Sequence, residues 1–465
     1  MTIQRVGMRR PRLLAALAIA AVAVTGSVAL LRPADDLVLA TVSLGAPNGP
    51  GSPLLSLPLA IDERTSRAFI SFDDGAGIRV LYTATGALLR TVAAPQSATA
   101  LVADRSSERV FAVCGRDLLM LDPRSGAVLR DLPDSPQALA VDEPGGRVYV
   151  LVAAGGKREI DVLDARTGRP LRALTRYDLA PFATNSDSIA TLAVDGRRNR
   201  VIVTDSPYTE PATPTGTLRV FDAASGRLLS RQRLNGIAWR PPLVDEETGR
   251  AFVPVYVEGG SFARGAILML DTASGAARAR TPLGSAFFDL ALDRRAERVL
   301  ATDVGVLRHL TLPGGEREDV PIGPGEVRLF DARSGARVGS VQVGVTPWAI
   351  AVDERAGRLF VLNLGTTSML SGGPPGPGSL SVVDERTGSV VRTARVGVRP
   401  MGLALDRVAG RLVVLNDGGA VGQRAADPWG WIPSWARGLL PFIPGPPRDP
   451  TIAPASISVL DMTRL

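Results

Sequence analysis

Short apolar segments separated by polar turns recur along most of the chain. In one arrangement an apolar segment ends at an aspartate, four residues follow, and an arginine opens the next apolar segment, as in LAVDERAGRLFV. Such segments on either side of a tight polar turn predict a β-hairpin. The arrangement occurs eight times, with aspartates Asp62, Asp104, Asp142, Asp195, Asp245, Asp293, Asp353 and Asp406 and arginines Arg67, Arg109, Arg147, Arg200, Arg250, Arg298, Arg358 and Arg411.

A second hairpin pattern follows the first: an apolar segment, Asp, two residues, Ser or Thr, Gly and another apolar segment, as in LRVFDAASGRLLS. Glycine suits such a turn because it tolerates positive φ, and Asp can accept bonds from backbone N–H groups of the turn. Tyr82 replaces Asp in the first copy. The turn glycines are Gly86, Gly126, Gly168, Gly226, Gly275, Gly335 and Gly388.

Two hairpins per unit predict an all-β protein of eight four-stranded sheets, with strands a, b, c and d. One such sheet leaves its apolar faces open, and stacking the sheets around a ring buries both faces. We therefore predict an eight-bladed β-propeller with strand a innermost. The last unit has no strand d, whereas LVLATVSLG (37–45) is similar to the strand d segment VVRTARVGV (390–398). The N-terminal strand is thus predicted to complete the last blade, which makes 37–465 one domain.

These repeats resemble the YVTN-type β-propeller family, whose YncE-like members are exported proteins. The resemblance covers residues 37–465 and is clearest in LAVDERAGRLFVLN and GSLSVVDERTGSVVRTARVGVRPMGLALD. It implies the fold and an extracytoplasmic location, and hardly any chemistry. Members of the family have seven blades, so a seven-bladed ring is the alternative to the eight units counted here.

The first 32 residues have the composition of a signal peptide or a signal anchor. Four arginines within residues 1–12 precede the apolar segment Leu13–Leu31, which is long enough to span a membrane as a helix. Basic residues stay on the cytoplasmic side, so the remainder is expected outside the cytoplasm, in the bacterial cell envelope. Cleavage after Ala29 and an uncleaved anchor are both compatible with this segment.

Composition excludes several kinds of site. The formal charge of +7 falls to +3 without residues 1–31, and no basic stripe with aromatic residues is present, so no nucleic-acid binding is predicted. His309 is the only histidine, which excludes metal sites with several histidines. Cys114 is the only cysteine, which excludes an intrachain disulfide and a c-type haem attachment. We predict no cofactor, no metal site and no catalytic residue.

The repeated Asp and Arg residues could be a catalytic pair or turn residues, and their presence in every unit favours the turn. The a–b and c–d turns have constant lengths and share one rim of a propeller, here called the hairpin rim. The b–c and d–a connections share the opposite, variable rim, and loops on a rigid scaffold often carry function. The irregular connections are 46–57, 175–190, 204–217, 256–266, 304–326, 364–379 and 417–456, the last being a long insert in the final blade.

Two sets of residues near the variable rim are candidate ligand-binding residues at the channel mouth. Strand b ends in Asp or Asn in four blades, where the side chains could form a polar ring or cap the strand ends. Trp239, Trp348 and Met401 directly precede strand a, where they could line a pocket or pack in the core. The four polar residues are Asp205, Asp303, Asn363 and Asn416.

The insert 417–456 contains a cluster of aromatic residues, Trp429, Trp431, Trp435 and Phe442. Exposed aromatic clusters mark membrane interfaces and partner surfaces, so this insert is a candidate contact with a membrane or a partner. A lid that folds back over the channel is the alternative. His309 is interpreted as an incidental loop residue and Cys114 as a core residue.

The leading hypothesis is a non-enzymatic scaffold that binds a small polar ligand or a cell-envelope protein. A structural partner in an envelope complex is a related hypothesis. The alternative is a propeller enzyme similar to quinoprotein dehydrogenases or lactonases, with its site on the variable rim. Against it, the repeats lack a regular tryptophan in each unit, and no metal cage of Glu, Asn and Asp is identifiable by spacing.

Overall fold

The computed structural model describes residues 37–45, 58–72, 75, 77–133, 135–178, 188–207, 216–257, 264–283, 287–311, 317–321, 323–365, 377–421 and 451–465. These residues form eight four-stranded antiparallel sheets and two two-stranded sheets. The eight large sheets are the eight predicted blades, and the fold has eight blades rather than the alternative seven. The predicted signal segment 1–32 lies outside the described residues.

The first strand, β1 (Val38–Gly45), belongs to the last blade. The strands of blades 1 to 4, in the order a to d, are β2 (Leu59–Asp62), β3 (Arg67–Ser71), β4 (Ile78–Tyr82) and β5 (Ala87–Val92); β6 (Ala98–Asp104), β7 (Arg109–Cys114), β8 (Asp117–Leu121) and β9 (Val128–Pro133); β10 (Pro136–Asp142), β11 (Arg147–Ala154), β12 (Lys157–Asp164) and β13 (Pro170–Asp178); β14 (Ser188–Asp195), β15 (Arg200–Pro207), β16 (Thr217–Asp222) and β17 (Leu228–Arg233).

Blades 5 to 8 follow the same order, and hairpins are inserted between strands b and c of blades 6 and 8. The strands are β18 (Leu243–Asp245), β19 (Arg250–Val257), β20 (Arg264–Asp271) and β21 (Ala277–Pro282); β22 (Leu290–Asp293), β23 (Arg298–Asp303), the hairpin β24 (Leu307–Thr311) and β25 (Arg317–Pro321), β26 (Glu326–Asp331) and β27 (Arg337–Gln342); β28 (Pro347–Asp353), β29 (Arg358–Asn363), β30 (Pro377–Asp384) and β31 (Ser389–Val398); β32 (Pro400–Asp406), β33 (Arg411–Asn416), the hairpin β34 (Gly419–Val421) and β35 (Thr451–Ala453), and β36 (Ala455–Asp461).

The ring closes between the two ends of the described chain, as predicted. Strand β1 pairs antiparallel with β36, from Val38 opposite Leu460 to Gly45 opposite Ala455. Strand a of each blade contacts strand a of the next, and the series returns from β32 to β2. Strand a is therefore innermost in all eight blades, and its turn into strand b lies at one mouth of the central channel.

The core lies between neighbouring blades. Phe111 and Val113 of β7 pack against Leu139, Val148 and Val150 of blade 3 in one apolar cluster. Strand b is almost wholly buried because both of its faces meet a neighbouring blade, whereas strand d, at the outer edge, is largely exposed. Burying a large aliphatic side chain contributes roughly 1.5–3 kcal/mol, so these interfaces dominate the stability of the ring.

The eight repeated aspartates are buried turn residues. Each one accepts a hydrogen bond from a backbone N–H of its own a–b turn, such as Ala409 N to Asp406 Oδ1 at 2.9 Å. Several repeated arginines reach the next blade instead: Arg200 Nε donates to the carbonyl of Ala273 at 3.0 Å. Asp and Arg therefore recur because every blade needs the same turn and a joint to its neighbour.

Candidate functional site

The four polar residues predicted at the strand b ends occupy the same place in blades 4, 6, 7 and 8. Each is the fifth residue after the repeated arginine, and each side chain is buried, with an exposed fraction of 2 % or less. A buried polar group needs a hydrogen-bond partner, because an unsatisfied one costs about 1–3 kcal/mol. The partners of Asp205, Asp303, Asn363 and Asn416 thus decide what these residues do.

Asp205 is surrounded by cationic and hydroxyl groups. Arg219 Nη1 lies 2.6 Å from Asp205 Oδ2, and Arg158 Nε lies 3.5 Å from Asp205 Oδ1. The Tyr177 hydroxyl donates to Asp205 Oδ2 at 3.2 Å, and the Arg219 guanidinium lies 4.6 Å from the centre of the Tyr177 ring. Burial raises the pKa of Asp205, while Arg219 and Arg158 act in the opposite direction. The result is a buried charge network that is compensated within blades 3 and 4.

Asp303 is paired in the same manner in blade 6. Arg328 Nη2 lies 2.7 Å from Asp303 Oδ2, and the backbone N–H of Gly305 donates to Asp303 Oδ1 at 2.8 Å. Arg328 and Arg219 occupy equivalent positions, three residues before the aspartate of the c–d turn. Asp at the end of strand b is thus accompanied by Arg on strand c.

The two asparagines have serine partners. Asn363 Nδ2 donates to the hydroxyl of Ser381 at 3.0 Å, and Asn416 Nδ2 donates to the hydroxyl of Ser458 at 3.0 Å. Ser381 and Ser458 occupy the strand c position that carries arginine in blades 4 and 6. The pairing signal, Asp with Arg and Asn with Ser, is present in the sequence and was missed because strand b was analysed without strand c.

The same position is apolar or a thiol in the other four blades, as the sequence shows. Phe72 lies under the guanidinium of Arg79, at 5.5 Å, and Cys114, Val152 and Val255 are buried. Burial raises the pKa of the Cys114 thiol to about 12, which keeps it protonated. The partners described for the four polar residues are therefore groups of the same blade or of the adjacent blade. Direct contact of these residues with a ligand stays a prediction.

The predicted aromatic residues belong to two separate clusters. Trp348 is buried, its indole N–H donates to the carbonyl of Met401 at 3.2 Å, and its ring lies 4.2 Å from that of Phe288. Trp239 is partly exposed and stacks on Tyr256 with ring centres 5.0 Å apart. Trp348 and Met401 are each the second residue of strand a rather than residues that precede it, whereas Trp239 precedes β18 as predicted. A pocket role for the three residues remains a prediction.

A charged pair that sequence analysis did not single out lies beside these aromatics. Arg240 Nη1 is 3.7 Å from Asp289 Oδ1, and Asp289 Oδ2 accepts the backbone N–H of Ile350 at 3.1 Å. Burial raises the pKa of Asp289, and the Arg240 guanidinium opposes that shift. The Tyr256 hydroxyl donates to the carbonyl of Phe288 at 3.4 Å. The group links blades 5, 6 and 7 near the variable rim.

Other predicted contact residues lie beyond the described part of the chain. Trp429, Trp431, Trp435 and Phe442 fall in the range 422–450, outside the described residues. His309, expected in a loop, lies on strand β24 opposite Asp319 of β25. The two inserts 304–326 and 417–456 each contain a short hairpin that their irregular sequences did not indicate.

The opposite mouth of the channel carries a ring of charged residues. The residue after each repeated aspartate is glutamate in the odd blades (Glu63, Glu143, Glu246, Glu354) and Arg105, Gly196, Arg294 or Arg407 in the even blades. In three joints the backbone N–H of the even blade donates to the glutamate of the next blade, at 3.0–3.3 Å. Such an alternation closes only in a ring with an even number of blades.

Part of this ring borders a cavity of about 350 Å³. Six charged residues of blades 1, 2, 6, 7 and 8 line it: Glu63, Arg105, Arg294, Glu354, Arg355 and Arg407. Sequence analysis placed all candidate binding residues near the variable rim and missed this group. The available signal was the alternation of Glu and Arg next to the repeated aspartates.

The described residues hold no group of three or more His, Cys, Asp and Glu side chains placed to bind a metal ion. They also include no helix long and apolar enough to cross a membrane.

Comparison with solved structures agrees with the architecture. Sqt1 from Saccharomyces cerevisiae is similar over 82% of this chain and 96% of that chain, with 9% identity and a TM-score of 0.56. The Dos1 propeller is similar over 81% of this chain and 92% of that chain, with 10% identity and a TM-score of 0.53. The fold is a β-propeller.

At these identities the similarity shows the fold alone. BamB from Moraxella catarrhalis is a weaker match, with 15% identity over 70% of this chain and 96% of that chain. Its TM-score is 0.45, so no conclusion about this protein is drawn from it. No protein-family model matches the sequence. No curated protein sequence matches it either. Membership of the YVTN-type family therefore stays a prediction of the repeat pattern.

Proposed function

We propose that this β-propeller is exported, remains anchored in or is released from the cytoplasmic membrane, and acts as a non-enzymatic binding scaffold of the bacterial cell envelope. Its ligand or protein partner binds at the variable rim. The observation that supports this proposal is the contrast between the rims. The a–b turns keep one length in all eight blades, whereas both inserted hairpins, β24–β25 and β34–β35, lie in b–c connections.

The side chains at the base of this rim support a scaffold rather than a reaction centre. The carboxylates of Asp205 and Asp303 are held by arginines at 2.6 and 2.7 Å, so neither is positioned as an unpartnered acid or base. The asparagine–serine pairs of blades 7 and 8 are neutral and buried. In this proposal these four residues hold the ends of strand b in place, and the connections above them contact the partner.

The aromatic residues of the last insert are the proposed contact with the partner or the membrane surface. Trp429, Trp431, Trp435 and Phe442 are concentrated in one connection of blade 8. Tryptophan is enriched at protein interfaces and at membrane–water boundaries, because its ring is apolar and its N–H can donate.

The test compares the full chain with a variant in which residues 425–447 are replaced by a short Gly-Ser linker. Protease added to spheroplasts should digest both proteins, since both are exported. Partner crosslinking and membrane association beyond that of the N-terminal segment should be lost only in the deletion variant, with thermal unfolding little changed. A matched variant that shortens the β24–β25 hairpin controls for the loss of any insert on this rim.

Protection of the full chain from external protease would contradict export, and unchanged association of the deletion variant would contradict the role of the insert. Native mass spectrometry of the purified full chain distinguishes the enzyme alternative. A retained cofactor with absorbance above roughly 300 nm, or a stoichiometric metal, would favour an enzyme with its site near Arg240 and Asp289.

A further inference from the structure

The cavity at the hairpin rim carries more positive than negative charge. Four guanidinium groups and two carboxylates line it. Arg407 Nη1 pairs with Glu63 Oε1 at 3.0 Å, and Arg294 Nη1 lies 3.9 Å from Glu354 Oε1. Each glutamate is therefore matched by one arginine, and two arginines are left over.

Those two arginines are Arg105 and Arg355. Within the ranges that the structure describes, neither guanidinium group has an acidic partner, and both side chains are exposed toward the cavity that they line. A guanidinium group presents fixed N–H donors that match the oxygens of phosphate and carboxylate groups. Two such groups around one cavity can bind the same anion, which favours anions that carry more than one negative charge.

The other side of the same mouth differs in charge. At the position after the repeated aspartate, blades 3, 4 and 5 carry Glu143, Gly196 and Glu246, and none of them carries arginine. The glutamates recur in all odd blades, so the difference arises from the arginines of blades 2, 6 and 8. At this position arginine is thus confined to the arc from blade 6 to blade 2, where the cavity lies.

From the cavity, its charge balance and its two unpaired guanidinium groups, we infer that the hairpin-rim mouth of the channel binds a small multivalent oxyanion, with phosphate or carboxylate groups. The volume of about 350 Å³ lies within the range of roughly 300–1,000 Å³ typical of small-molecule sites. The site is separate from the variable rim, and its presence does not depend on the function proposed above.

The site is open to solvent, which sets the expected strength of binding. The side chains of Arg294 and Arg407 are 47% and 40% exposed, so water and salt screen their charges. We expect affinities in the micromolar to millimolar range that weaken as sodium chloride is added. A buried phosphate site would be far less sensitive to salt.

The test is calorimetric titration of the full chain at low ionic strength with two probes, pyrophosphate and citrate. Arg105→Gln combined with Arg355→Gln should weaken binding by about tenfold or more, because it removes both unpaired charges. Arg197→Gln is the matched control. Arg197 follows Gly196 in blade 4, at the turn position that Arg355 holds in blade 7, and it lies outside the cavity lining.

A second variant makes the net charge of the cavity lining more positive. Glu354→Gln keeps an oxygen that can accept the backbone N–H of Arg294, and it removes a negative charge, so binding should tighten by a few-fold. Binding of pyrophosphate alone identifies a phosphate site, and binding of citrate alone identifies a carboxylate site. Absence of binding of both probes at millimolar concentration, or equal weakening by Arg197→Gln, would overturn the inference.

Discussion

The two rims of the propeller use the same residue types for different connections. On the hairpin rim, repeated Asp and Arg side chains form the turns and join one blade to the next, as in the bond from Arg200 to the carbonyl of Ala273. Near the variable rim, Asp205 and Asp303 bond to arginines on their own strand c. A residue found in all units therefore indicates a connection that all units share. A polar residue found at the end of strand b in only some units is accompanied in each of them by a bonding partner on strand c, as Arg219 accompanies Asp205.

Two blade joints on the hairpin rim use the same bond between a threonine hydroxyl and a repeated aspartate. Thr83 Oγ1 donates to Asp406 Oδ2 at 2.5 Å between blades 1 and 8, and the Thr272 hydroxyl makes the equivalent bond to Asp195 between blades 5 and 4. The joint that closes the ring thus has the same chemistry as an internal joint. Ring closure thus combines the pairing of β1 with β36 and a side-chain bond of a kind also found inside the ring.

The largest expected effect comes from breaking a charged pair near the variable rim. Arg219→Ala leaves Asp205 buried beside only one guanidinium group, that of Arg158, and removes the cation from the Tyr177 ring. Removal of one partner of a buried ion pair typically destabilises a protein by about 3–5 kcal/mol. Urea unfolding should show a loss near the lower end of this range, because Arg158 remains.

The matched substitution in a neutral pair is Ser381→Ala in blade 7. It removes one acceptor of the Asn363 amide, which can still donate to the hydroxyl of Ser379 at 3.2 Å, so the expected loss is about 1 kcal/mol. Equal losses for Arg219→Ala and Ser381→Ala would show that the two kinds of pair are energetically equivalent, contrary to this account.

An effect between these two is expected at the blade joints formed by Thr83 and Thr272. Thr83→Val and Thr272→Val keep the side-chain shape and remove the bond to a buried carboxylate, which costs about 2 kcal/mol for a hydrogen bond to a charged group. The two bonds have the same length, so the two losses of unfolding free energy should be similar, with the loss for Thr272→Val the smaller because Arg198 Nη1 also lies 3.3 Å from Asp195 Oδ2. A much larger loss for Thr83→Val would indicate that the closing joint, rather than the joints in general, limits the stability of the ring.

The fold was predictable because its signals are local and repeated. Each aspartate–arginine spacing marks a turn whose conformation depends on a few neighbouring residues, and eight copies leave little room for another arrangement. The partners of the polar residues were not predictable in the same way. Asp205 meets Arg219 through strand pairing and Arg158 through packing of the adjacent blade, and neither relation follows from spacing along one strand.

The cavity at the hairpin rim was missed for a related reason. Constant turn length favours the variable rim as the binding face, but turn length and turn composition are independent. Arg105 and Arg355 occupy different positions of their turns, the first and second residues after the aspartate. Only the ring geometry places both beside one cavity.

Threonine at the position of Thr83 and Thr272 occurs in two blades, five blades carry Pro, Ala or Met there, and one blade carries an acid. The acid is Glu385 of blade 7, which lies against Asp293 of blade 6 and lines with it a small cavity of about 40 Å³. Burial and the neighbouring Asp293 carboxylate raise the pKa of Glu385 to about 7. Two carboxyl groups meet where the joints at Thr83 and Thr272 pair a hydroxyl donor with a carboxylate.

This joint should weaken as the pH rises. The folded state holds a proton on Glu385 more tightly than the unfolded chain, in which the pKa is near 4.5, so the stabilisation is complete below pH 4.5 and is lost as the pH rises toward 7. Since the side chain is partly exposed, the expected loss is only about 1 kcal/mol, well below the value that the full shift would imply.

Glu385→Thr gives this joint the hydroxyl group that the joints at Thr83 and Thr272 have. At pH 8 the variant should be more stable than the natural chain by about 1 kcal/mol, because a hydroxyl donor replaces a second carboxylate beside Asp293. At pH 4.5 the two proteins should differ little, since Glu385 is then protonated and can itself donate. Thermal unfolding at both pH values measures the difference, and Thr272→Glu is the reverse control, which should introduce the same pH dependence between blades 4 and 5. A stability gain for Glu385→Thr that is independent of pH would mean that side-chain size, and not the shared proton, sets the strength of this joint.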